Sequence, residues 1–176
     1  MNKIADNRVL RITRWLVYLI MGLIAAVGVV LALVSVILPF HWADAVAELS
    51  KEHPGLDPVT LVPQLLTVFA LGILALGLIW TIMRKLLAII ASVEDGNPFI
   101  HANALRLKAI GWTMVGLQIV GGPLAMAAGE VADHFGESHT GLDISLNGIL
   151  AILLAFILAG IFERGAEMRE ELEGTV

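Results

Sequence analysis

The chain has 176 residues, 58% of them hydrophobic and 15% charged, with a formal net charge of −5. That composition excludes an ordinary soluble domain, and the absence of cysteine excludes disulfides, thiolate chemistry and Cys-ligated metal. The Lys and Arg residues cluster at the ends of apolar runs, where orienting the chain accounts for them, so direct nucleic-acid binding is not expected.

Four uncharged runs organise the sequence: Trp15–Phe40, Leu61–Met83, Ala109–Gly129 and Ile144–Phe162. Each is near or above the roughly 20 residues a helix needs to cross a hydrocarbon core. Lys3, Arg8, Arg11 and Arg14 precede the first run, and Arg84, Lys85, Arg106 and Lys108 separate the second from the third. Arg164 and Arg169 follow the fourth, which leaves Lys51 alone on the opposite side. The positive-inside rule then predicts four spans with both termini in the cytoplasm. The fold class expected is an all-α integral membrane protein with four transmembrane helices in an antiparallel bundle.

In chain order, Trp15 and Tyr18 suit the inner interface, and the first span ends at Pro39, with Trp42 marking the outer interface. This run is too long for the apolar region of a cleaved signal peptide and reads as a signal-anchor. The outer loop His41–Thr60 contains Trp42–His53, an amphipathic turn or two, broken by Pro54-Gly55 and Asp57-Pro58. Pro63 falls in the first turn of span 2, about residues 61–83.

Leu86, Leu87, Ile89, Ile90 and Val93 keep an apolar helical face beyond Arg84-Lys85, until Glu94-Asp95-Gly96-Asn97-Pro98-Phe99 interrupts it. Gly96 suits a helix-ending position with positive φ. Asn97-Pro98 reads as a helix start, with Asn as cap and Pro as first helical residue. The expectation is a cytoplasmic helical hairpin over about residues 84–108. Span 3, about 109–129, is loosened or kinked at Gly121-Gly122-Pro123. The outer loop Glu130–Asp143 is acidic, and Asp143 or Ser145 caps span 4, about 144–162. The charged tail 163–176 continues as helix to about Glu171, against a weakening at Gly165.

Inside the spans the polar residues are Ser35, Gln64, Thr67, Thr81, Thr113, Gln118, Ser145 and Asn147, none ionisable. Ion-coupled transporters ordinarily place an ionisable group along their path, so its absence weighs against transport. Gln118 and Asn147 are expected to make interhelical hydrogen bonds. Small residues recur every fourth position at Gly121, Ala125 and Gly129, and at Ala151, Ala155 and Ala159, faces that permit close helix packing. Packing within one chain is the default there, and a homo-oligomer seam is the alternative. His41, His53, His134 and His139 match no zinc spacing and read as solvated loop residues. No HExxH, GxSxG or phosphate-cradling loop is present, so neither catalysis nor a cofactor is expected.

Asp95-Gly96-Asn97-Pro98-Phe99, followed by Asn103, Leu105-Arg106 and Ile110-Gly111-Trp112, resembles the signature of a bacterial membrane-protein family catalogued as domain of unknown function 2975. The C-terminal stretch with Phe162, Gly165, Met168 and Thr175-Val176 is similar to that family too. The resemblance implies a four-span architecture and, because such proteins are often encoded beside a small helix-turn-helix regulator, a cytoplasmic protein partner. The expected function is that of an accessory or regulatory membrane protein, with Asp95, Gly96, Asn97, Pro98, Phe99, Asn103 and Arg106 as interaction surface. A subunit of an oligomeric transporter or channel is the alternative, and a membrane enzyme built from outer-loop His and carboxylates is a third reading. The lipid bilayer is a partner in all three.

Overall fold

The computed structural model of the chain describes residues 3–42, 58–136 and 145–173. Four long helices dominate them: α1, Lys3–Ile37; α2, Pro58–Glu94; α3, His101–Asp133; and α4, Leu146–Glu173. A 3-10 turn, Leu38–Phe40, continues α1. No strand occurs among the described residues. The amphipathic segment expected up to His53, the breaks at Pro54-Gly55 and Asp57, and the residues His139, Asp143 and Thr175-Val176 lie outside the described residues.

Each helix contains a stretch long and apolar enough to cross a membrane, and only 6% to 11% of the residues in those stretches are buried within the protein. Leu19, Leu23 and Leu33 on α1, Ile119 on α3 and Leu153 and Ile157 on α4 all turn outward. Such apolar surface is favourable in lipid and costly in water. The chain is a multi-pass membrane protein.

The helix ends follow local chemistry. Pro39 lacks an N–H and tightens the end of α1 into the 3-10 turn. Because α2 starts at Pro58, three residues before the expected Leu61, Pro63 stands inside the helix and not in its first turn. Thr67 donates its hydroxyl to the Pro63 carbonyl at 2.7 Å. The helix α3 runs unbroken through Gly121-Gly122-Pro123. It is closed by Gly136, whose φ of 75° suits a residue without Cβ. The hydroxyl of Ser145 accepts the Gly148 N–H at 3.2 Å and caps α4. Gly165 does not weaken α4, which continues to Glu173.

The chain divides into two compact units. One comprises Met1–Leu23, Leu78–Gly116 and Ser145–Val176. Its core is Leu107 and Ile110 of α3 against Ala155 and Ala159 of α4, with Ile82, Leu86 and Ile89 of α2 packed beside them. A Cβ at Gly111 would stand 3.0 Å from the Phe156 ring. Trp112 meets the same ring edge-on, with centroids 5.5 Å apart. Thus α3 and α4 come together where one helix offers Gly111 and the other offers alanines.

The second unit comprises Ile24–Gly77 and Leu117–Ile144. Within it, Gly28 faces Leu76 and Gly72 faces Leu31, so α1 and α2 touch through glycine positions. His134, expected as a solvated loop residue, is half-buried, with Nε2 2.9 Å from Gln64 Oε1. Gln64 Nε2 also donates to Glu130 Oε2 at 3.3 Å. Gly121 has open space where a Cβ would project, so the small-residue face expected on α3 makes no close contact at that position.

These glycine environments predict opposite mutational outcomes. Gly111→Val should lower stability by about 1–3 kcal/mol through overpacking against Phe156. Gly121→Ala should be neutral or stabilising by up to about 1 kcal/mol, the intrinsic helix preference for Ala. Thermal melting of the purified protein in one detergent, wild type beside both variants, checks the contrast.

Candidate functional site

The distinctive stretch after α2 begins with a helix stop. The Gly96 N–H donates to the Val93 carbonyl at 3.0 Å and the Asn97 N–H to the Ser92 carbonyl at 2.9 Å. This pair of bonds defines a Schellman motif. It requires the left-handed conformation that Gly96 adopts, φ 77°. Asn97–Ile100 then carry no regular structure, and α3 starts only at His101. The expected helix start at Asn97-Pro98 is therefore displaced by three residues. The Asn97 N–H is committed to ending α2, and Pro98 restrains the residue before it from helical geometry.

What Asn97 does not cap, Asn103 organises. Asn103 is 0% exposed. Its Nδ2 donates to Ser92 Oγ at 2.5 Å and to the Pro98 carbonyl at 2.8 Å. Its Oδ1 accepts from Arg106 Nη1 at 2.7 Å. The same Nη1 reaches the Ala88 carbonyl on α2 at 3.2 Å. The Ser92 hydroxyl in turn donates to the Ile89 carbonyl at 2.7 Å. The amide orientation is settled by these neighbours, because a flipped Asn103 would set oxygen against the Pro98 carbonyl and nitrogen against a guanidinium. One carboxamide thus joins α2, the turn and α3, and no buried side-chain N or O among the described residues lacks a partner.

A second tie runs to α4. The ring of Phe99 packs on Phe162 with centroids 5.2 Å apart. It also covers Gly165, where a Cβ would lie 2.7 Å from Phe99 Cδ1. Phe99 remains 43% exposed, so one face rests on α4 and the other is open. Two ion pairs flank these contacts: Lys108 Nζ with Glu163 Oε2 at 3.3 Å, and Arg14 Nη1 with Glu94 Oε2 at 2.8 Å. Both pairs are exposed enough for solvent to screen them.

The residues expected as one interaction surface separate into two groups. Asp95, Gly96 and Asn97 are exposed at the tip, with Phe99 half-open beside them. Asn103 and Arg106 are corrected to internal roles: the first is wholly buried, the second half-buried and bonded to it. Pro98 contributes its carbonyl to the same network. A shallow pocket opens between the turn and α4, with Asn97, Ile100 and His101 on one side and Arg169 and Glu170 on the other. Of the two expected interhelical polar contacts, Gln118 is half-buried and engaged. Asn147 is exposed in the first turn of α4 and bonds across to no other helix among the described residues.

One contributor, Ser92, escaped sequence reasoning. Ser92 is a lone polar residue on the apolar face of α2, eleven positions from its partner Asn103. That isolation among Ile89, Ile90 and Val93 was the available signal. Phe162 and Gly165 were singled out by the family resemblance alone, and their role shows only when Phe99 is placed over them.

Asn103→Ala should destabilise by about 1–3 kcal/mol, since it strands buried donors and acceptors. Ser92→Ala removes two neutral bonds, one from Asn103 and one to the Ile89 carbonyl, and leaves a buried Asn103 amide proton unpaired, so it should cost about 1–3 kcal/mol. The double variant should lose less than the sum, because the two side chains share one hydrogen bond. Detergent melting of the three variants measures this coupling.

Neither a curated protein nor a solved structure matches the chain. A family match covers residues 45–176, which takes in the whole of the turn, its network and α4. The chain belongs to the family described as "Protein of unknown function (DUF2975)".

Proposed function

We propose that this is an accessory protein of the bacterial cytoplasmic membrane that presents the α2–α3 turn, together with the adjoining part of α4, to a cytoplasmic protein partner. Its helices form an antiparallel four-span arrangement with both termini inside. The observation that carries this reading is a division of labour at the turn. Asn103, Ser92 and Arg106 fix the backbone from within, while Asp95, Gly96 and Asn97 stay exposed at the tip. A rigid, solvated loop on a stable scaffold loses little conformational entropy on binding. Beyond Met83, α2 continues for Arg84–Glu94, which carries the tip roughly 16 Å past the end of the apolar run. The pocket beside the turn is lined by His101, Arg169 and Glu170, so its walls are polar and of mixed charge. The family resemblance points to a helix-turn-helix regulator as that partner. Any contact with DNA would then belong to the regulator.

Topology is testable directly because the chain has no native cysteine. A single Asp95→Cys should react with a membrane-impermeant maleimide only in inverted vesicles or lysed cells. A single Phe135→Cys should react in intact spheroplasts. The reverse pattern would place the turn outside and remove the cytoplasmic partner.

The interaction itself is tested with Asp95→Lys/Asn97→Lys/His101→Glu, three exposed positions outside the buried network. Its melting temperature should match wild type, as surface substitutions usually stay within about 0.5 kcal/mol. Purification from native membranes in mild detergent should retain a specific cytoplasmic protein with wild type and about tenfold less with the variant. Equal retention by both would reduce the turn to a connector.

A further inference from the structure

The positive charge along the hairpin is unevenly neutralised. Arg14 and Lys108 each hold a carboxylate, Glu94 and Glu163 respectively. Arg84 and Lys85 hold none among the described residues. Arg106 is bonded only to uncharged oxygens, the amide of Asn103 and the carbonyl of Ala88. These three cations line one cleft together with Trp80, Thr81 and Ala88.

The cleft follows from helical spacing. Trp80, Arg84 and Ala88 stand at four-residue intervals on α2, with Thr81 and Lys85 beside them, so all five share a face. Arg106 is brought to that face from α3 by its bond to the Ala88 carbonyl. Only Nη1 of its guanidinium is occupied in those bonds, leaving donors of the planar fork available. Arg106 is also half-buried and held in place, so its free N–H groups are pre-oriented to donate to a phosphate.

Its depth selects the ligand. The apolar run Leu61–Met83 covers about 34 Å at 1.5 Å per residue, against a hydrocarbon core of about 30 Å. Arg84 and Lys85 follow immediately, and Trp80, one turn earlier, is the residue type enriched at the headgroup boundary. Three unneutralised cations at that level, beside an indole and between two helices, form the chemistry that recognises a lipid phosphate.

We propose that this cleft is a binding site for the phosphodiester headgroup of an anionic phospholipid. Arg106 supplies the fixed guanidinium and Arg84 and Lys85 the adjustable charges. The acyl chains lie along the apolar helices below, and Trp80 sits at the glycerol level. The site differs from general attraction of a basic segment to an anionic leaflet, because it depends on these positions and not on total charge.

The test uses full-length protein, delipidated in detergent and titrated with phosphatidylglycerol, cardiolipin or phosphatidylethanolamine, with bound lipid read by native mass spectrometry. Wild type should retain the anionic lipids about tenfold better than phosphatidylethanolamine. Arg84→Gln/Lys85→Gln should abolish that preference, and the charge-conserving Arg84→Lys/Lys85→Arg should keep it. Arg8→Gln/Arg11→Gln removes the same charge from α1, away from the cleft, and should bind as wild type does. Equal losses in the two neutralised variants would overturn the site in favour of diffuse attraction. Displacement of the lipid by millimolar inorganic phosphate would overturn the lipid as its ligand in favour of a soluble anion. Retention of phosphatidylethanolamine equal to that of the anionic lipids would overturn it outright.

Discussion

The carboxamide of Asn103 is the interaction on which the α2–α3 turn and its neighbours depend. It sits where water is excluded, and it meets one hydroxyl, one carbonyl and one guanidinium, each from a different part of the chain. Buried polar groups are costly when unpaired and specific when fully paired. Because every group around Asn103 has its partner, the turn has one arrangement in which the sum of contacts is satisfied. Moving Arg106 away would leave the Asn103 oxygen without its donor, and moving Ser92 would leave one amide proton without its acceptor.

This matters more in a membrane than in water. Lipid tails are as apolar as leucine, so hydrophobic burial does little to bring spans together. What remains is close packing and polar contact. The first unit uses both: Gly111 admits the Phe156 ring, Ala155 and Ala159 admit Leu107 and Ile110, and the Asn103 network joins α2 to α3. Phe99 extends this order to α4 by occupying the space that Gly165 leaves open. The second unit uses the same devices more sparsely, in the Gly28 and Gly72 contacts and in the Gln64, Glu130 and His134 cluster.

The four apolar helices were legible in the sequence because transfer into lipid acts on runs of residues and needs no knowledge of neighbours. The helix-ending role of Gly96 was legible for a similar reason: a positive φ is a local demand that Gly meets. The start of α3 was not. Asn97-Pro98 carries a local helix-start signal, but the Schellman bonds claim the Asn97 N–H, and the Phe99 ring is seated on a helix more than sixty residues away. Asn103 and Arg106 were picked out as a pair by resemblance yet assigned to the surface, since burial depends on the facing Ser92 and Ala88. Asn147 shows the converse error. A polar residue in an apolar run suggested a bond across helices, and its place in the first turn of α4 leaves it exposed.

Two of the acceptors that hold the turn are backbone carbonyls, those of Ala88 and Pro98. A carbonyl is supplied by whichever residue occupies the position. Substitution at 88 can therefore drift through small apolar types without loosening the guanidinium, while Asn103, Ser92 and Arg106 have few chemical equivalents. The architecture divides mutational tolerance unevenly along a short stretch of chain, with strict identity at Ser92, Asn103 and Arg106 and freedom at Ala88, which is gripped by its backbone alone. Saturation mutagenesis of residues 84–106 would trace that pattern as isolated intolerant positions and not as a continuous block.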